Sequence, residues 1–130
     1  MKFLEPYAPH LLSALRIMSG LLFLQHGTTK YLGIPASQFN NASPFTMSGA
    51  AGLIELVGGA LLVVGLFTRP VAFVLSGTMA AAYFYAHAPR GFFPLLNGGE
   101  LAALYAFVFL FIAAAGGGRW SIDRLTGRSA

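Results

Sequence analysis

The chain contains no cysteine. That absence excludes disulfide bridges, thiolate metal sites, iron–sulfur ligation and any dithiol relay carried by this chain alone, so redox chemistry here would need a bound cofactor or a partner. Charge is scarce as well: eight Lys and Arg with four Asp and Glu make up 9% of the 130 residues, against about a quarter in a soluble domain. So little polar surface cannot cover a water-soluble globule. The net charge of +4 is spread between hydrophobic runs, which argues against nucleic acid as a partner, since that would call for a continuous basic face. Positive charge distributed in this way instead sets orientation in a membrane.

What the chain has in abundance is apolar sequence, at 56% hydrophobic residues. A helix crosses lipid with about 20 mostly apolar residues, and four such windows fit, at about 10–31, 47–67, 71–88 and 99–115. The expected fold is an all-α integral membrane protein, a single domain built as a four-transmembrane-helix bundle. Arg16 interrupts the first window and no A-x-A cleavage pattern follows it, so the first helix is expected to be retained and not removed as a signal peptide. Residues 33–46, rich in Gly, Pro, Asn and Ser, read as a long loop, and Thr68-Arg69-Pro70 as a turn tight enough to make its flanking helices antiparallel neighbours. Gly116-Gly117-Gly118 stops the last helix. Arg119 and Trp120 suit an interfacial anchor, and 121–130 is expected to be a short polar tail. Lys2, Arg69, Arg119, Arg124 and Arg128 fall on one side of this arrangement and Lys30 and Arg90 on the other. Five against two places both termini in the cytoplasm by the positive-inside rule.

The few ionisable groups within the apolar runs carry the functional reading. A lone charge at the centre of a membrane helix costs about 2.5–3.5 kcal/mol, so Arg16 and Glu55 are expected to face inward and to interact, directly or through water. Gly52, Glu55 and Gly59 share one helical face, and Arg16 shares another with Gly20, Phe23 and Gly27. His26, His87 and Glu100 fall toward the same, extracytoplasmic end as Glu55, where they would surround a polar pocket. Tyr83 lies on one stripe with Ser76, Ala80 and His87, among aromatics able to wall a flat apolar ligand such as a quinone. Each residue also has a structural reading: an Arg16–Glu55 clamp, histidines at the interface, and Glu100 on the helix dipole. Two histidines and two carboxylates without diagnostic spacing give no metal site. A weak internal echo, with a His ending the first and third helices and a Glu beside glycines in the second and fourth, suggests a duplicated hairpin.

The stretches RIMSGLLFLQHGTTKYLG, GLIELVGGALLVVGLFTRPVAF and MAAAYFYAHAPRGFFPLLNGGELAALYAFVFL, together covering most of positions 16–112, resemble the DoxX family of small bacterial membrane proteins. The resemblance implies a multi-pass protein of the bacterial inner membrane, related to a subunit of a thiosulfate:quinone oxidoreductase and to proteins of thiol and oxidative-stress redox systems. Its matching residues are Arg16, His26, Glu55, His87, Asn97 and Glu100. The expected function is a membrane-embedded redox component, an oxidoreductase subunit binding quinone or a similar small molecule. Glu55, His87 and Glu100 would handle protons, Arg16 would orient Glu55, and His26, Tyr83 and Asn97 would line the pocket. Expected partners are the lipid bilayer and a second copy or a redox protein. The alternatives are a non-catalytic subunit that stabilises a larger complex and a proton or small-solute pathway.

Overall fold

Thr46 opens the second long helix by accepting a hydrogen bond from Gly49 N at 3.0 Å, the usual work of a hydroxyl at an N-cap. Gly65, in the left-handed region at φ 70°, closes it. Such signals delimit the helices of the computed structural model, which describes residues 1–128 and has no β-strand among them. After a 3₁₀ turn, the principal helices are α1 (Ala8–Leu32), α2 (Met47–Val64) and α3 (Thr68–Ala82). A π-helical turn (Tyr83–His87) and a short α4 (Pro94–Asn97) lead into α5 (Glu100–Ala115), and α6 (Ile122–Leu125) is a single turn. Three segments, Lys2–Leu32, Met47–Val64 and Thr68–Arg90, are long and apolar enough to cross a membrane, while α5 is a shorter apolar helix.

The helices alternate in direction. α1 packs along α2 and α3 along α5, with one set of ends near the termini and the other near the two longer loops. Glycines bring α1 and α2 close: a Cβ on Gly27 would lie 2.5 Å from Leu56 N, and one on Gly59 would lie 2.9 Å from Leu24 Cα. The core joins both pairs. Phe23 sets its ring edge-on to Phe109 at 5.1 Å, and Tyr105 stacks on Phe109 at 5.3 Å. Phe73, Val74, Phe107 and Phe111 point outward and are exposed, as expected where the surrounding solvent is hydrocarbon.

Three boundaries differ from the sequence expectation. α2 ends at Val64 and α3 begins at Thr68, so Gly65–Phe67 forms the turn and Pro70 sits in the first turn of α3, where its missing N–H costs nothing. The third helix changes to π geometry at Tyr83, six residues before Pro89, whose ring and lost donor end regular helix.

The last difference is the C-terminal segment, which is no free polar tail: Ser121 and Asp123 are both buried. Asp123 accepts hydrogen bonds from Phe67 N at 2.8 Å and Thr68 N at 2.7 Å, capping α3 from 55 residues away. Burial opposes its charge, but the Thr68 and Phe67 backbone N–H groups and the Arg128 charge prevail and hold its carboxyl below the usual carboxylate range. A depressed folded value gives stability that is present above the unfolded pKa of about 3.9 and is lost as pH falls through the folded value. Acid should therefore loosen the C-terminal segment, seen as faster proteolysis below about pH 4. Asp123→Asn should be weaker at neutral pH and should lose that acid response; an unchanged response would refute the cap.

Candidate functional site

Arg16 is fully buried on α1, and its guanidinium is spent on backbone carbonyls. Nε donates to Gly117 O at 2.8 Å and Nη1 to Val63 O at 2.6 Å, with further bonds to Leu62 O and Trp120 O. It therefore does not pair with Glu55, contrary to the sequence expectation. The reason is register: Glu55 stands eight residues before Val63, about 12 Å along α2, and at the end of α2 the Val63 carbonyl has no backbone donor among the described residues while Leu62 O receives only the 3.2 Å bond from Gly65 N. Arg16 is the structural lock of the terminal end.

Glu55 finds another cation. Lys30 Nζ donates to Glu55 Oε2 at 2.7 Å, its flexible stem running alongside Gly52, where a side chain would collide with it. Glu55 is 6% exposed, and it lines a cavity of about 280 Å³ near the loop end. His26 and His87 line the same cavity, with Tyr105 from α5 and apolar walls from Phe23, Met79, Leu101 and Ala102. Three of the residues singled out from sequence thus meet around one space.

The rest of the predicted set divides. Asn97 is buried and works on the loop: its Nδ2 donates to Gly91 O at 2.9 Å and to Tyr83 Oη at 3.3 Å, while Oδ1 accepts from Gly99 N at 2.8 Å. Its backbone carbonyl accepts from His87 Nδ1 at 3.2 Å, so Asn97 orients His87 instead of facing the cavity. Tyr83 packs its ring on His87 at 6.4 Å and lines a separate apolar groove between α3 and α5. Glu100 is exposed at the first turn of α5, outside the cavity lining, in the position the helix dipole favours. Glu55 lies mid-helix and Glu100 opens its helix, so the hairpin echo does not extend to equivalent glutamates. Among the described residues, no group of three or more His, Asp or Glu is placed to hold a metal ion.

One partner of the site was missed, Lys30, which pairs with Glu55 from outside the cavity lining, whereas Tyr105 is one of the aromatics expected to wall a ligand. Lys30 reads as interfacial until the fold places it beside Glu55. Tyr105 is 5% exposed, and its hydroxyl has no hydrogen-bond partner among the described residues; the spacing of Ala102, Tyr105, Phe109 and Ile112 along α5 is the signal that marks it as inward-facing.

The DoxX family model matches residues 11–88, which include Arg16, His26, Glu55 and His87. The chain belongs to the DoxX family. An uncharacterized protein of Haemophilus influenzae is similar to this DoxX protein, at 48% identity over 95% of the chain and 96% of the relative. An uncharacterized membrane protein of Mycobacterium tuberculosis is 25% identical over 95% of the chain and 85% of its own length. A Bacillus subtilis protein named "Putative oxidoreductase CatD" is 35% identical over 52% of the chain and 53% of its own length. No solved structure matches this DoxX chain.

Proposed function

We propose that this DoxX protein is a membrane-embedded redox component that binds the head of a quinone, or a similar small ring, in the cavity between α1, α2, α3 and α5. The observation that carries the reading is the convergence of Glu55, His26, His87 and Tyr105 on one mostly apolar space of about 280 Å³, the size of site that takes a small ring. A quinone would supply two-electron redox chemistry there. The protein's own part is to orient the ring and exchange protons at its oxygens, with Glu55 and His87 as the proton carriers. The oxidoreductase name of the Bacillus subtilis relative favours the same class of chemistry.

In this reading all four long helices cross the inner membrane of a bacterium, the 16 residues of α5 extending about 24 Å. The five basic residues at the terminal end against two at the loop end put both termini in the cytoplasm, so the cavity opens toward the outer face. An electron donor or acceptor would be a partner redox protein or a second copy.

The test is binding of a naphthoquinone and its reduced form to the purified protein in lipid nanodiscs. Glu55→Gln and His87→Ala are each expected to weaken binding of the couple by about tenfold, the usual weight of a hydrogen bond to a charged or well-oriented group. Equal binding by folded variants would remove the site. Failed assembly of an associated complex with binding unchanged would favour a non-catalytic subunit.

A further inference from the structure

The hydrogen-bonding state of the cavity walls selects one form of ligand. Lys30 donates to Glu55 Oε2, so Glu55 stands as a carboxylate, and its Oε1, without a partner among the described residues, is an acceptor. His87 is set by its neighbour: the Asn97 carbonyl 3.2 Å from Nδ1 can only accept, so Nδ1 carries the hydrogen and, in the neutral ring, Nε2 is left as an acceptor.

We infer that the cavity takes a small ring bearing hydroxyl donors, a phenol or hydroquinone, in preference to the dicarbonyl form of the same ring. This rests on the cavity reading proposed above and adds the chemical class of the ligand. A hydroxyl on such a ring satisfies Glu55 Oε1 or His87 Nε2, while a ring with only carbonyl oxygens would cover both acceptors without meeting them, the costlier error. Tyr105 supplies the third polar contact. Its hydroxyl, without a hydrogen-bond partner among the described residues, both donates and accepts, so it accommodates a second ring oxygen without reversing the preference set by the two acceptors. His26 makes no hydrogen bond among the described residues and adapts in the same way. Phe23 and Met79 contribute apolar wall, which suits an uncharged ring.

The experiment measures equilibrium binding of three probes of one shape to the full chain in nanodiscs without oxygen: tetramethylhydroquinone, tetramethylbenzoquinone and the dimethyl ether of the hydroquinone. The hydroquinone is expected to bind at least about tenfold more tightly than either of the others. Glu55→Gln should shrink that preference, and Tyr105→Phe should weaken the hydroquinone more than the ether, whose oxygens are only weak acceptors. If the quinone or the ether binds as tightly as the hydroquinone, the donor inference falls and the cavity reading stands. If none of the three binds the wild-type chain, both fall. The wild-type comparison decides the matter even where a variant fails to fold.

Discussion

Arg16→Leu is expected to abolish recovery of folded protein from membranes, a larger loss than any substitution in the cavity. One guanidinium donates to carbonyls on two separate pieces of chain, Leu62 and Val63 at the end of α2 and Gly117 and Trp120 beyond α5. Removing it leaves Val63 O and Trp120 O without a donor among the described residues, and Leu62 O and Gly117 O with only the longer bonds from Gly65 N and Ser13 Oγ, at about 1–3 kcal/mol for each group that finds no replacement. It also removes a cation from the negative end of α2 and the attraction between Arg16 and Asp123. Breaking a buried charged network of this kind costs about 3–5 kcal/mol, a large share of a total stability of about 5–15 kcal/mol. Arg16→Lys should rescue only in part, because an ammonium is a point donor and cannot reach both segments as a planar fork does. Denaturant unfolding in detergent, with protease protection of residues 116–128, measures this; wild-type stability in Arg16→Leu would dismiss the lock.

The second large effect compares one chemical change at two glycines. At Gly27 an added Cβ would lie 2.5 Å from Leu56 N and 2.7 Å from its Cα, whereas at Gly77 nothing stands within 4 Å. Gly27→Ala must push α1 off α2, since backbone cannot rotate out of the way as a side-chain tip can. Overpacking costs about 1–3 kcal/mol and more when backbone has to move. The displacement would also shift Lys30 from Glu55, which face each other across the same helix pair. Gly77→Ala should instead stabilise by up to about 1 kcal/mol through helix propensity. Thermal unfolding of the two variants, with ligand binding as a second readout, should move in opposite directions. Parallel shifts would mean that the two helices do not approach as closely as Gly27 and Gly59 indicate.

The inward faces were legible because their signal is local. Arg16, Gly20, Phe23 and Gly27 on α1, and Gly52, Glu55 and Gly59 on α2, are all buried, since helical periodicity and the cost of charge in lipid act on each helix by itself. Pairings were less legible. Glu55 chose Lys30 over Arg16 because the antiparallel register brings Lys30 within reach of its own long stem, and Arg16 found carbonyls released by a helix end. Asp123 looked like part of a solvated tail, yet its cap on α3 joins residues 55 positions apart, a contact that no window of sequence contains. Glu100 shared an end of the bundle with the cavity but stayed exposed, because being at the right height does not decide the side on which a residue faces.

Sequence by itself determined that this is a helical membrane protein of the DoxX type, with Arg16 and Glu55 turned inward and without cysteine chemistry; composition and period suffice for that. Tertiary structure alone decided which cation meets which anion, that a C-terminal strap closes the terminal end, and that Tyr105 joins Glu55, His26 and His87 around one space. The physical reason is that burial in a single helix follows its own periodicity, whereas pairing follows the register and rotation of one helix against another.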